Sequence, residues 1–145
     1  MMSFVCWVNS DELSLIEAFP EVIMVDTTEK INNKNRPLLT VGDKDSNGKI
    51  IIFLKCFMPN QQSWMFRWIL SVVFSRLIPK HVLCNTKIVI TDGDPQEYIQ
   101  IDNVIQNIIP NTKRIWCGWH IISQGFDKHV NTTSPDIPSS TVEKY

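Results

Sequence analysis

Two aspartates stand where apolar, strand-like segments stop. The segment "EVIMVD" ends at Asp26, and "KIVITD" ends at Asp92. In α/β sheets ligands collect at the carboxyl ends of the strands, so parallel neighbouring strands would bring these two carboxylates together. Paired carboxylates repel each other unless a proton or a cation intervenes, and oxygen ligands suit Mg²⁺ or Mn²⁺. We therefore expect a divalent cation site at Asp26 and Asp92, of the kind that supports in-line phosphodiester chemistry.

The same aspartates also have a structural interpretation, because aspartate commonly forms turns after strands. In "TDGDPQE", Asp94 suits a helix N-cap, Pro95 the first helical position, and Glu97 the third position of a capping box. This assignment leaves Asp92 as the candidate ligand, with Gly93 allowing the chain to turn between the two aspartates.

A second candidate site is the segment "CGWH", with Cys117 and His120 separated by two residues. Cysteine and histidine at this spacing form half of a zinc site, and His129 fits poorly as a third donor. The alternative is a packed cysteine and a hydrogen-bonded histidine. Trp116 and Trp119 are interpreted as core residues and not as a base-stacking platform.

Basic residues lie near both candidate sites, although the formal net charge of the chain is only −1. A nucleic-acid partner would therefore have to be bound by a local basic patch. Candidate phosphate contacts are Lys30, Lys34 and Arg36 after the first strand, and Lys113 and Arg114 before the Cys/His segment. The alternative is that these side chains form an ordinary solvated face.

Hydrophobic periodicity predicts the elements that position these residues. After a short helix at 11–19, three strands are expected, with Asn47-Gly48 as the hairpin turn between the second and third. Helices and strands then alternate. The expected ranges are strands at 21–26, 37–42, 50–57, 87–92 and 113–119, and helices at 61–78, 95–109 and from 120 onward. The order predicts an α/β fold with a mixed sheet covered by helices.

Length and composition indicate one globular domain, since the chain has 145 residues with 43% hydrophobic and 20% charged residues. We expect the domain to cover 1–130 and a disordered Pro/Ser/Thr-rich tail to cover 131–145. The four cysteines have no close pairs, so we expect no disulfide framework and a reducing compartment. The start lacks the features of a secretory signal, and arginines interrupt the most apolar segment, so no membrane association is expected.

Taken together, these motifs resemble the core of Mutator-like element (MULE) transposases, a family that includes domesticated plant regulators related to far-red-impaired response proteins. "FPEVIMVDTTEKINNKNRPLLTVG" is similar to the block around the first catalytic aspartate of the family. "VITDGDPQEYIQIDNVIQNIIPNTKRIWCGWHI" is similar to its second block, with the second aspartate and a Cys-x-x-His signature. Between them, "QQSWMFRWIL" corresponds to a helix with an "S--W" pattern.

The resemblance implies a ribonuclease H-like mixed sheet, with a three-stranded antiparallel meander followed by α-β-α-β-α. It implies that Asp26 and Asp92 are the first two acids of a DDE triad that binds Mg²⁺ or Mn²⁺. Cys117 and His120 correspond to the Cys-x-x-His pair, a candidate Zn²⁺ site. DNA ends are the implied partner and the nucleus the implied location, and oligomerisation is compatible with both.

The family's third acid, a downstream glutamate, has no counterpart in a suitable context. We therefore expect a fragment or decayed copy that is truncated at the C-terminus and inactive in DNA cleavage and strand transfer by itself. The alternative function is a domesticated, non-catalytic DNA-associated regulator or interaction module. A third hypothesis is a phosphohydrolase that uses the same two aspartates on a small substrate.

Overall fold

The computed structural model describes residues 4–123. It contains six strands, five of which lie in the order that the sequence predicts. The strands are β1 (Val5–Val8), β2 (Val22–Thr28), β3 (Leu38–Lys44), β4 (Ile50–Phe57), β5 (Ile88–Thr91) and β6 (Lys113–Trp116). The helices are α1 (Ser10–Ala18), α2 (Ser63–Trp68), a π-helical segment π1 (Ile69–Val73), α3 (Phe74–Leu77), α4 (Lys80–Asn85), α5 (Pro95–Ile108) and α6 (Gly118–Ser123). The tail predicted for 131–145 lies outside the described residues.

All six strands form one mixed sheet in the order β1-β4-β3-β2-β5-β6. The strands β2, β3 and β4 form the predicted antiparallel meander, and β5 and β6 add to it in parallel with β2. Parallel strands need long connections, which here contain the helices between β4 and β5 and between β5 and β6. The α/β class and the mixed sheet are therefore confirmed.

The hairpin between β3 and β4 forms where Asn47-Gly48 predicts it. Gly48 has a φ of 79°, and its amide donates to the carbonyl oxygen of Asp45 at 2.9 Å. The side chain of Asp45 also accepts hydrogen bonds from the amides of Asn47 and Lys49, which closes the turn. Local turn chemistry thus determines this connection.

The antiparallel pairing of β3 and β4 contains a bulge beside the candidate site. The register shifts between Val41 and Gly42, so that Val41 pairs with Leu54 and Gly42 with Ile52. A Cβ atom at Gly42 would collide with the carbonyl oxygen of Ile51, and only glycine allows this approach of the two backbones.

The core lies between the sheet and the helices on one of its faces. Val25 on β2 and Val89 on β5 present their side chains to Leu70 of π1 and Ile101 of α5. These residues are at most 3% exposed, in keeping with a close-packed interior. Side chains alternate between the faces of a strand, so the neighbours of Val25 on β2 point to the opposite face. That opposite face carries the candidate site.

Several predicted boundaries are wrong. Strand β2 continues two residues past Asp26, to Thr28, because β3 pairs with it along this length. The helix expected at 61–78 contains π1 in its middle, and α4 follows it as a separate helix after Pro79. The fifth predicted strand ends at Trp116 and not at residue 119, because α6 begins at Gly118.

Strand β1 and its disulfide were not expected. β1 pairs antiparallel with β4 at the edge of the sheet, with Cys6 directly opposite Cys56, and the two sulfurs are bonded. The expectation of no disulfide is therefore wrong for this pair. The cysteines are 50 residues apart in sequence, and only the pairing of β1 with β4 brings them together. Cys84 and Cys117 are free.

No helix within residues 4–123 is both long and apolar enough to cross a membrane.

Candidate functional site

The two aspartates lie level with each other on adjacent parallel strands. Met24 of β2 pairs with Ile90 of β5, and Asp26 and Asp92 each follow two residues later on the same face. Both line one cavity of about 460 Å³ on the face of the sheet opposite the core. The predicted side-by-side, parallel arrangement of the two strands is confirmed, and the carboxylates open into the same space.

Each carboxylate is held by a local hydrogen bond. Oδ2 of Asp26 accepts a hydrogen bond from the hydroxyl of Thr28 at 3.2 Å. The side chain of Asp26 is 44% exposed. Oδ1 of Asp92 accepts from the amide of Asp94 at 2.9 Å. Gly93 makes this turn with a φ of 102°, as its position between the aspartates predicts. Each aspartate therefore keeps an oxygen that makes no hydrogen bond within the described residues.

Asp94 caps α5, but the predicted capping box does not form. Oδ1 of Asp94 accepts from the amide of Gln96 at 2.7 Å, which confirms the N-cap. The carboxyl of Glu97 does not return to the amide of Asp94, which is bonded to Asp92. Instead, Oε2 of Glu97 accepts from the hydroxyl of Thr27 at 2.6 Å. The capping-box role of Glu97 is therefore wrong, because a partner on β2 competes for its side chain.

Glu97 is a fully buried carboxyl behind the two aspartates. Its side chain is 0% exposed, and its Oε1 has no hydrogen-bond partner in the described structure. Burial raises the pKa of Glu97 to about 8; the Thr27 hydrogen bond lowers this pKa, and the charges of Asp92, Asp26 and Asp94 raise it further. Glu97 is therefore a neutral acid at pH 7. The sequence reasoning missed it because the helix-start pattern already explained its position.

Cys117 and His120 line the same cavity as the aspartates. The amide of Cys117 donates to the carbonyl oxygen of Thr91 at 2.7 Å, which fixes the start of α6 against the end of β5. One turn later, Nε2 of His120 lies 3.8 Å from Oδ1 of Asp26. The two candidate sites predicted from the sequence are therefore one site. His129 lies outside the described residues.

The two tryptophans of this segment are exposed, so their interpretation as core residues is wrong. Trp116 is 37% exposed and Trp119 is 69% exposed. Trp119 lines the cavity. Its ring lies edge to face with the imidazole of His120, with 5.1 Å between the two ring centroids. They are exposed because β6 is an edge strand of the sheet and α6 lies beyond its end.

Two of the predicted basic residues lie at the same end of the sheet as Asp26, although they do not line the cavity. Lys30 and Lys34 are exposed in the loop that follows β2, at the same end of the sheet as Asp26. Asn32 shapes this loop by accepting from the amides of Lys34 and Arg36. The half-buried Arg36 makes further contacts.

Lys113 and Arg114 are not brought to the aspartates. Lys113 is paired with Ile88 at the amino end of β5, about 13 Å along the strand from Asp92. The guanidinium of Arg114 binds Asp102 through two hydrogen bonds, of 2.8 and 3.2 Å, and lies over the ring of Tyr98. This bidentate ion pair holds the guanidinium of Arg114 against α5 and away from the two aspartates.

The cavity lining includes two polar side chains that the sequence does not single out as candidates, those of Thr40 and Lys44 of β3. They flank the bulged Gly42 on the same face of the strand, and the hydroxyl of Thr40 donates to the carbonyl oxygen of Asp26 at 3.2 Å. Their alternation along β3 indicates that they share a face, but no pattern in the sequence indicates that this face carries the site.

An α/β domain with two carboxylates at the carboxyl ends of adjacent parallel strands is suited to binding cations and phosphates. The family model of the MULE transposase domain matches residues 22–124, from the start of β2 to just past α6. The match contains Asp26, Asp92, Cys117 and His120. The chain therefore belongs to the MULE transposase domain family. No curated protein matches the chain.

The donor set fits a divalent cation, the kind of cofactor that transposase domains generally use. Asp26 and Asp92 offer oxygen ligands from a rigid part of the sheet, and the cavity leaves room for water or a phosphate oxygen. Within residues 4–123, no three His, Cys, Asp or Glu side chains are grouped as a ready metal centre. The site thus offers a partial coordination shell that solvent or substrate would complete.

Proposed function

We propose that this chain is the partial catalytic core of a DDE-type DNA transposase with a ribonuclease H-like arrangement. In this proposal Asp26 and Asp92 are its first two metal-binding acids. The observation that carries the proposal is their level placement on β2 and β5, facing one cavity, within a MULE transposase domain. DNA is the proposed substrate, through hydrolysis and strand transfer at phosphodiester bonds.

The sheet supports the ribonuclease H-like part of the proposal. Three antiparallel strands, β2 to β4, are extended by β5 and β6 on the free side of β2 and parallel to it. Such a sheet places the first and fourth strands of the proposed core, β2 and β5, side by side at its centre. Each of these two strands is hydrogen-bonded to a neighbouring strand on both sides, which suits a site that needs fixed geometry.

The proposed chemistry assigns a role to each group around the cavity. A divalent cation between Asp26 and Asp92 would neutralise the charge that develops at a scissile phosphate and would favour deprotonation of a water or 3′-hydroxyl nucleophile. The Asp94 amide holds the carboxylate of Asp92 in place, and Thr28 holds that of Asp26. Lys30 and Lys34 lie at the same end of the sheet and would contact the phosphate backbone.

A non-catalytic DNA-associated regulator is the second candidate function. The observation that favours it is the lack of a third grouped ligand within residues 4–123. Glu97 does not fill this position, because it is buried, neutral and bonded to Thr27 on the other face of the sheet. In this second candidate function the fold and the loop that carries Lys30 and Lys34 are kept, but the chain does not cleave or transfer DNA strands.

Calorimetric titration with Mg²⁺ and Mn²⁺ distinguishes the two functions. The catalytic proposal expects binding by the wild type that is lost in both Asp26→Asn and Asp92→Asn. Asp11→Asn, an exposed aspartate in the first turn of α1, is the control and should bind as the wild type does. If the wild type binds neither ion, or if both site variants retain binding, the catalytic proposal is wrong and the regulator remains.

A further inference from the structure

The cavity is lined by one imidazole, that of His120, whose position the proposed function does not yet explain. Its Nε2 lies 3.8 Å from Oδ1 of Asp26, which is longer than an N–H···O hydrogen bond. Two ligands bound to one ion at about 2.1 Å lie about 3.0–3.4 Å from each other. A movement of less than about 1 Å would therefore bring both atoms into one coordination shell.

Nothing else in the described residues gives His120 a structural role. Its Nδ1 is buried without a hydrogen-bond partner there, and the imidazole otherwise contacts the exposed ring of Trp119. A histidine retained only for stability would be expected to satisfy its buried nitrogen. The ring instead points its other nitrogen at a carboxylate that already lines the cavity.

A second histidine lies at a similar distance from a carboxylate but in surroundings that do not suit a metal ligand. His81 of α4 lies 3.9 Å from Glu17 of α1, almost the same separation. However, the side chain of His81 is 59% exposed, whereas that of His120 is 22% exposed. His120 also shares its cavity with Asp92, a second carboxylate. The surroundings of the His120–Asp26 pair, and not its separation, indicate a ligand site.

We propose that His120 provides a nitrogen ligand to the divalent cation bound by Asp26 and Asp92, so that the site favours Co²⁺ or Zn²⁺ over Mg²⁺. The inference rests on the proposed function, since it concerns the same cation. Imidazole binds later first-row metals well, whereas Mg²⁺ takes oxygen ligands almost exclusively. The described residues form no three-ligand centre as they stand, so the proposal requires His120 to move toward Asp26 when the cation binds.

The test is calorimetric titration of the full chain with Co²⁺ and with Mg²⁺, for the wild type, His120→Gln and His81→Gln. His120→Gln should lower Co²⁺ affinity by about tenfold or more while changing Mg²⁺ affinity much less. His81→Gln should match the wild type for both ions. Asp26→Asn should lose both ions.

The outcomes separate the two proposals. If Asp26→Asn loses Co²⁺ and His120→Gln keeps the affinity of the wild type, the ligand role of His120 is overturned while the cation site stands. If the wild type binds no cation, both proposals are overturned.

A second measurement covers the case in which His120→Gln does not fold. In the wild type, Zn²⁺ should move one ring ¹⁵N signal of His120 to the chemical shift of a metal-bound imidazole nitrogen and leave the ring ¹⁵N signals of His81 unchanged. Unchanged ring ¹⁵N signals at His120 in the Zn²⁺-bound protein would refute the ligand role.

Discussion

The buried carboxyl of Glu97 makes the stability of this domain depend on pH in a way that one substitution should remove. Glu97→Gln keeps the shape of the side chain and an oxygen that accepts from the hydroxyl of Thr27. It removes only the ability to ionise. The variant therefore isolates the proton on Glu97 from the packing around it.

The direction of the effect follows from the raised pKa. The folded state holds the proton up to about pH 8, whereas the unfolded chain releases it near 4.5. Between these values the folded state binds more protons, so the free energy of unfolding falls as the pH rises through this window. At about 1.4 kcal/mol per pKa unit, the wild type should lose about 3–4 kcal/mol from this group between pH 5 and 8.

The expected result is a crossing of the two stability curves. At pH 5 Glu97→Gln should be less stable than the wild type by about 1 kcal/mol, because its buried amide NH₂ has no partner. At pH 8 it should be more stable by about 2–3 kcal/mol. Urea unfolding followed by tryptophan fluorescence at both pH values measures the difference.

Glu29→Gln is the matched control, since Glu29 also accepts a side-chain hydrogen bond, from Gln61, but is exposed. This variant should follow the wild-type pH dependence. Other titrating groups affect all three proteins alike, so only the differences between them matter. If Glu97→Gln and the wild type lose stability in parallel from pH 5 to 8, Glu97 is not protonated in the folded state and the reasoning fails.

Two further pairs of substitutions test the bulge at Gly42 and the helix cap at Asp94 by urea unfolding. Gly42→Ala should destabilise the fold by about 3 kcal/mol, because its Cβ would collide with the backbone of β4. Gly48→Ala, at a positive φ with open space around it, should cost only about 1 kcal/mol, and equal losses would contradict the role of the bulge. Asp94→Ala should cost about 1 kcal/mol through loss of the helix cap. Asp94→Asn should retain most of the stability, and a similar loss in both variants would contradict the cap.

The features that the sequence predicted well are those that short-range chemistry determines. The Asn47-Gly48 turn, the N-cap at Asp94 and the glycine turn after Asp92 all form as their residue types predict. Continuous runs of apolar, β-prone residues located β2 and β5, and the aspartate at the end of each run gave the expectation that the two strands are parallel neighbours. These signals were enough to identify the two aspartates as candidates.

The features that it predicted poorly depend on contacts between distant segments. Glu97 fits a capping box locally, but its partner Thr27 is 70 residues away. The contact of His120 with Asp26 likewise exists only once β6 and α6 are packed beside the sheet. Trp119 was interpreted as a core residue because large aromatic side chains usually are buried, yet its helix lies at the sheet edge. No local pattern contains this information.

The central position of β2 also has a consequence for how the chain is made. During synthesis from the amino end, β2, β3 and β4 emerge before β5, so the meander can form while one edge of β2 has no partner. That edge belongs to an apolar strand, Val22–Thr28, and an unpaired apolar edge readily joins another chain. Products that stop before Ile88 should therefore aggregate. Strand β5 thus protects the domain from self-association as well as positioning Asp92, which follows it, at the candidate site.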